Sequence, residues 1–470
     1  MIDPGTLDAL KQIVGPNGYW DRPEDMAPRL VEGRGLYRGA TPLVLRPAST
    51  PEVSRIMEAC HSARVPVVPQ GGNTGMVGGQ IPSADGTAIV LGLDRMTTLR
   101  SVDPLNNTIA VDAGLTLQQV QDAARQADRL FPLSLGAEGT CLIGGNLATN
   151  AGGTAVLRYG NMRELTLGLE VVLADGRVLD LMTGLRKDNT GYDLKDLFIG
   201  SEGTLGIITG AVLKLFPRPR ETETLMVAVA SPQAAVDLLA RAQAATGGQI
   251  TAFEIMPRFA VELATTHMDG VRDPFGAPHP WIALIEASSG HAGSLRPALE
   301  GLIALALDDG LVRDAVRAES LDQAAALWAV REAIPPAQKK EGGSIKHDVS
   351  VPVSAMPAFI GEATTVAESL IPGARVCAFG HIGDGNVHFN VSQPAGADRD
   401  EFLAHWDAMQ TAIHAVVAAH GGAISAEHGI GQMKRHALAQ HKNPVALDTM
   451  KAIKQALDPL GLLNPGKLLP

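Results

Sequence analysis

The chain has 470 residues, 45% hydrophobic and 19% charged, enough for two or three domains with buried cores; this excludes a disordered or fibrous chain. Acidic residues outnumber basic ones, 50 to 39, for a formal net charge of −11. That balance argues against a nucleic-acid partner, whose phosphates require clustered Lys and Arg.

Cys60, Cys141 and Cys377 are too few and too scattered for a disulfide framework or a thiolate zinc site. The opening MIDPGTLDALKQIVG lacks the basic start and apolar core of a signal peptide. No apolar run of about 18 residues is present, so no membrane span is expected. The expected compartment is the cytoplasm; a peripheral association with a membrane would leave no mark in these features.

Val53, Ile56, Met57 and Cys60 share one face of a predicted helix over 51–64, with Thr50-Pro51 at its start. A short buried strand at 65–69 empties into PQGGNTGMVGG. Strands follow at 88–93 and 107–112, then a helix at 116–127. Asp175-Gly176, between LEVVLA and RVLDL, is a two-residue hairpin signal. The segment 206–216 reads as a strand closing this first unit. At 217–224, PRPRETET, composition turns to Pro and charge and marks a candidate boundary. Beyond it, strands at 225–229, 250–256 and 281–287 alternate with helices at 232–245, 295–309, 321–333 and 357–369. A long helix at 398–420 and a terminal one at 444–457 complete an α+β pattern, with helices expected on one face of the sheet.

Three glycine-rich segments lie at strand ends: 69–79 (PQGGNTGMVGG), 136–153 (GAEGTCLIGGNLATNAGG) and 200–206 (GSEGTLG). Glycine removes side-chain bulk and permits positive φ, so successive backbone N–H groups can wrap a phosphate. One such loop is most often an ordinary turn; three in one unit point to a ligand. No G-x-G-x-x-G follows a predicted strand, so a Rossmann site is not supported. GLLNPGK at 461–467 matches most of a P-loop, but Leu468 replaces the Ser/Thr and no helix follows.

These three segments, in this order, resemble the FAD-binding module of the vanillyl-alcohol oxidase/PCMH flavoprotein superfamily across the first half of the chain. The resemblance implies that Gly71, Gly72, Asn73, Thr74 and Gly75 cradle the FAD pyrophosphate. It further implies that Gly139, Thr140, Gly145, Asn146, Thr149, Asn150, Gly153 and Ile208 line the cofactor. Some members attach flavin through a histidine near the first loop. Here Asn73 lies in that loop and no histidine occurs between His61 and His267, so FAD is expected to be non-covalent.

Three of the thirteen histidines fall in two compact motifs, FGHIGDGNVHFN (His381, His388) and ISAEHGIGQMK (Glu427, His428). Fully extended, the seven-residue gap from His381 to His388 would span about 23 Å, too far for one metal. The GDG can reverse the chain and bring both imidazoles across a hairpin at about 5.5 Å. Strand alternation would then turn His388 and Asn390 to one face. Two imidazoles and a carboxylate suit Zn²⁺ and also accept Mn²⁺ or Fe²⁺; hydrogen-bonded strand histidines beside a surface Glu are the bland alternative. Arg331, in WAVREAI, and Lys346, in SIKHDVSVPV, are isolated cations beside apolar neighbours. Either suits a carboxylate substrate, although each taken singly reads more readily as a solvated charge. Lys339 and Lys340 are read as solvated.

Taken together, WAVREAI, IKHDVSVP, GHIGDGNVHFN, AEHGIGQMK and LNPGK resemble the D-2-hydroxyglutarate/D-lactate dehydrogenase branch of that superfamily. The resemblance implies metal ligation by His381, His388 and Glu427, with zinc as the expected ion, and His428 as catalytic base. It implies that Arg331, Lys346, Asn390 and His428 contact the substrate and that Asn464 returns to the flavin. It also implies three segments: a PCMH-type FAD-binding domain at 1–220, a substrate- and metal-binding domain at 221–425, and a C-terminal segment at 426–470 packing on the first. Where D-2-hydroxyglutarate enzymes can carry a threonine one turn after the arginine, this chain has Pro335, which leaves the distal end of the acid open.

The expected reaction is oxidation of a small D-2-hydroxy acid to its 2-oxo acid. His428 would take the hydroxyl proton and the flavin a hydride from the α-carbon. D-2-hydroxyglutarate is the leading substrate, with D-lactate, D-malate or glycolate as alternatives. The electron acceptor is expected to be an electron-transfer flavoprotein or the quinone pool, and a homodimer is compatible with the sequence. An oxidase of the same fold, and a metal-dependent hydrolase without flavin, are the competing readings.

Overall fold

The computed structural model describes residues 2–470 and divides into two compact units. The first comprises the described residues up to Gly153, Gly160–Arg218 and Glu427–Pro470; the second comprises Thr154–Tyr159 and Pro219–Ala426. The fold is of mixed α+β content with mostly antiparallel sheets.

In the first unit, the helix Thr50–Ala63 starts where the Ser49 side chain accepts from the Glu52 N–H and Pro51 occupies the first turn. Its Val53, Ile56, Met57 and Cys60 face is fully buried. The chain leaves through Arg64 at φ 54 and enters the strand Val67–Gln70, which pairs parallel with Ile89–Gly92. The glycine loop at 71–79 springs from the end of that strand. The chain's last segment returns to the same strand: the Val67 N–H donates to Leu462 O, and the Asn464 N–H to Val67 O. This return fixes Asn464 beside the loop.

A five-stranded antiparallel sheet completes the unit, with Ile207–Lys214 at its centre and almost wholly buried. The expected hairpin at Asp175-Gly176 joins Thr166–Val172 to Val178–Leu181, with Gly176 at φ 88.

The second unit is built on a seven-stranded sheet whose neighbours all pair antiparallel. Its strand order is Val312–Arg317, Glu221–Val229, Trp281–Ser289, Ile250–Pro257, Arg375–His381, Asn386–Ser392, Ser344–Ser350. Helices cover both faces, not one as the sequence pattern suggested. Pro232–Ala245, Leu295–Asp308, Met356–Leu370 and Trp406–Ala419 pack against Val227, Phe253, Ile285 and Phe389. Arg258–His267, Leu321–Glu332 and Ile334–Glu341 pack against Met226, Met256, Leu284 and Phe379.

Two of the three helices of this second layer escaped the sequence pattern, while Leu321–Glu332 was expected. Pro257 precedes the first, and Pro335 and Pro336 sit in the first turn of the last, where a missing N–H removes no helical bond. The helix expected over 398–420 is two, Arg399–Leu403 and Trp406–Ala419.

Candidate active site

The glycine loops of the first unit open onto one cavity. Gly71, Gly72, Asn73, Thr74, Gly75, Gly145, Asn146, Thr149, Ile208 and Asn464 all line it. Gly72 is obligatory, because a Cβ there would lie 2.0 Å from Thr140 O. Gly145, on the short helix Ile143–Ala148, would point a Cβ into open space, so it leaves room for a ligand.

The remaining residues expected at the cofactor act behind this wall. Thr140 supplies the carbonyl that packs on Gly72. Gly153 sits against Ser134 O, and Asn150, at φ 50, accepts the Arg163 N–H at 2.9 Å. Gly139 is not among the lining residues.

Two orphaned polar atoms indicate what the cavity takes. Asn73 donates through Nδ2 to Pro28 O and Val31 O, and Asn464 through Nδ2 to Gly79 O and Glu202 O. The Oδ1 of each is buried without a protein partner. Buried oxygens of this kind require a donor. With the glycine cradle, they fit the residues to a flavin dinucleotide, which offers both phosphate acceptors and ring or ribose donors.

His428 stands on the same cavity wall, with Glu427 beside it; Nε2 of His428 lies 3.9 Å from a Glu427 carboxylate oxygen. Glu202 also lines the cavity and was not singled out from the sequence. Burial pushes its carboxyl above the ordinary value, against the pull of two backbone N–H groups and Lys434.

In the second unit, the strand Ser344–Ser350 pairs with Asn386–Ser392 so that Asp348 opposes His388 and Lys346 opposes Asn390. Alternation sends Ile345, Val349, Val387 and Phe389 into the core and turns the polar set to the other face. His388 is opposite Phe379, so His381 lies on its diagonal; the imidazole centroids are 5.5 Å apart. The hairpin thus brings the two rings together diagonally, not directly across.

Glu254, fully buried on Ile250–Pro257, is the main group the sequence reading missed. It opposes His381 in register, with Oε1 2.5 Å from His381 Nδ1, and its Oε2 accepts from Arg331 Nε at 2.6 Å. Burial pushes this carboxyl up, but His381 and Arg331 outweigh that and bring it down to about 2. Arg331 also stacks over Phe379 at 4.8 Å, so one edge of the expected substrate arginine is already held. A carboxylate inside an otherwise apolar strand was the available signal, since a buried charge must have partners.

Asn390 donates through Nδ2 to Gln338 Oε1 at 2.8 Å. Gln338 is buried, one turn beyond Pro335, and its Nε2 has no protein partner.

The donor chemistry fits a divalent cation. In the second unit, Asp348 and His388 each offer a ligand atom within 4.8 Å of the other; in the first, Glu427 and His428 do the same. With Nδ1 of His381 bound to Glu254, its Nε2 is the tautomer's basic nitrogen, the arrangement usual for a metal-bound histidine.

Glycine loops open on one cavity with an imidazole on its wall, and the chain is an FAD-dependent oxidoreductase, as its family matches show. Residues 41–182 match the FAD binding domain family, and residues 218–468 match the C-terminal domain of FAD linked oxidases. The chain is 38% identical over 469 residues to the mitochondrial D-2-hydroxyglutarate dehydrogenase of Arabidopsis thaliana, covering 100% of this chain and 82% of that protein. It is equally 38% identical to the Bos taurus mitochondrial enzyme of the same name, covering 100% and 84%. To the D-2-hydroxyglutarate dehydrogenase of Xanthomonas citri pv. viticola it is 38% identical over 473 residues, covering 100% and 97%. The chain belongs to the FAD-linked oxidase family, in the branch of the D-2-hydroxyglutarate dehydrogenases. Among solved structures, p-cresol methylhydroxylase with substrate bound shares the fold at a TM-score of 0.78 and 17% identity, covering 99% of this chain and 97% of that one.

Proposed function

We propose that this chain oxidises D-2-hydroxyglutarate to the 2-oxo acid. The observation that carries the reading is His428 on the wall of the same cavity as the glycine loops. The similarity to D-2-hydroxyglutarate dehydrogenases over the whole chain supports the choice of acid.

FAD, held non-covalently by Gly71, Gly72, Asn73, Thr74, Gly75 and the rest of the cradle, supplies a two-electron acceptor when bound. His381, His388 and Glu427 would hold a zinc ion, which would supply Lewis acidity toward the hydroxyl. His428 accepts the hydroxyl proton at an imidazole nitrogen. Arg331, Lys346 and Asn390 hold the acid's oxygens, Arg331 oriented by Glu254 and Asn390 by Gln338. The Nε2 of Gln338, without a protein partner, is a donor for a substrate oxygen at the position Pro335 leaves vacant. The acceptor is an electron-transfer flavoprotein or the quinone pool. No helix among the described residues is long and apolar enough to cross a membrane; three buried free cysteines support a reducing compartment such as the cytoplasm.

A panel of D- and L-2-hydroxy acids, mixed anaerobically with the purified yellow enzyme, tests the reading. D-2-hydroxyglutarate should bleach the flavin fastest, and a chelator should abolish the bleaching. Faster bleaching by D-lactate would transfer the assignment to that acid. Rapid peroxide formation in air would make the enzyme an oxidase.

A further inference from the structure

Glu202 connects three segments of the first unit. Its N–H donates to Ala148 O at 2.8 Å, at the end of the cavity helix, and its carbonyl accepts Asn464 Nδ2 at 2.7 Å. The residue adopts φ 53, a left-handed conformation that is uncommon for a side chain of this size. This geometry aims the carboxylate at the loop that follows His428. Oε1 accepts the Ile430 N–H and Oε2 the Gly431 N–H, each at 2.7 Å.

The loop is shaped for this anion. Gly429 at φ 81 and Gly431 at φ 51 bracket Ile430, and left-handed positions in such a run turn successive N–H groups to one side to form an anion-binding nest. A side chain on Gly429 would press on the carboxylate, since its Cβ would lie 2.8 Å from Glu202 Oε1. On the far side, Gly431 is closed in by Val77 O, 2.3 Å from where its Cβ would stand. Glu202 and His428 line the same cavity. A buried pair of backbone donors without its acceptor would pull the loop toward another arrangement.

We propose that Glu202 is a positioning residue for the oxidation: its carboxylate is the anion around which residues 429–431 fold, and that fold sets the imidazole of His428 at the cavity wall. The proposal rests on His428 being the base. It predicts a defect in the proton-transfer geometry and not in cofactor or substrate affinity.

The test compares E202Q, E202D and H428A by anaerobic stopped-flow flavin reduction across pH. Glutamine keeps the size but offers an amide NH₂ to one of the two backbone donors. E202Q should retain FAD within about two-fold and KM within a few-fold, while flavin reduction slows by roughly 10²-fold, the scale of a misplacement of about 1 Å. The pH limb of the reduction rate should move with it. E202D, which keeps the charge but is one methylene short, should recover part of the rate. Reduction at the wild-type rate with an unmoved pH limb in E202Q, or a loss explained wholly by departed FAD, overturns the proposal. Should E202Q fail to fold, G429A presses on the same carboxylate from the loop side; slow reduction with FAD retained supports positioning, and a wild-type rate refutes it. H428A separates the two readings. If it turns over normally, the base assignment falls and takes the proposal with it. If it is inactive while E202Q is not, only the positioning role falls.

Discussion

Glu254 and His381 face each other across paired antiparallel strands, carboxylate oxygen to Nδ1, both buried. The same carboxylate takes the Nε–H of Arg331. One buried anion therefore fixes the tautomer of an expected metal ligand and the orientation of an expected substrate-binding guanidinium.

Glu254→Gln should accordingly weaken metal binding by about 10- to 100-fold, the usual effect of losing the partner of a ligating histidine. Chelator competition followed by elemental analysis reads this without reference to turnover. Unchanged metal affinity would show that His381 does not act as a ligand through its second nitrogen.

Two glycines of the expected cradle should behave oppositely. Gly72→Ala places a methyl 2.0 Å from the Thr140 carbonyl, whereas the corresponding position at Gly139 has nothing within 4 Å. The purified G72A protein should be pale or poorly folded and G139A as yellow as the parent. The flavin-to-protein absorbance ratio decides, and equal ratios would mean that the loop yields around residue 72.

Lys467 carries a stability penalty that depends on pH. Burial, then Arg435, pulls its ammonium down to about 8 from the ordinary 10.5. The folded chain thus binds this proton more weakly than the unfolded one. The penalty is complete below about pH 8 and fades as pH rises toward 10.5. Lys467→Met should stabilise the protein at pH 7 by an amount on the order of 3 kcal/mol at most. Urea unfolding of both proteins at pH 7 and pH 10 should show the gap narrowing at the higher pH; a constant gap would mean that packing, not charge, separates them.

Cys60 and Cys377 are fully buried, and burial pushes both thiols up to about 12. Cys141 is buried and raised in the same direction. Because the thiolate is the reactive form, Ellman's reagent at pH 8 should titrate none of the three until denaturant is added. A thiol reacting at the rate of free cysteine in the native enzyme would reveal local opening at its site.

Much of the site is visible in the sequence because its chemistry is packed into short runs. PQGGNTGMVGG can serve as a cradle only through its own backbone, and the loop at 71–75 does line the cavity. HIGDGNVH carries both its histidines and the turn between them, so their proximity follows from local hairpin geometry. Glu254 and Gln338 were not visible in this way. Each stands alone among neighbours that read as strand or helix, and its partners are 77, 127 and 52 positions away in the chain.

Periodicity and glycine placement thus determined the loops that line the cavity, the first-unit strands that carry them and the paired histidines, because these depend on contacts a few residues apart. Tertiary structure decided which distant side chains neutralise the buried charges, and that helices cover both faces of the second sheet. It also decided that Glu202, more than two hundred residues before His428, shapes the loop behind it. The physical reason is that burying a charge or an N–H creates a demand for a partner, which the sequence can announce, while only the folded chain determines which residue meets it.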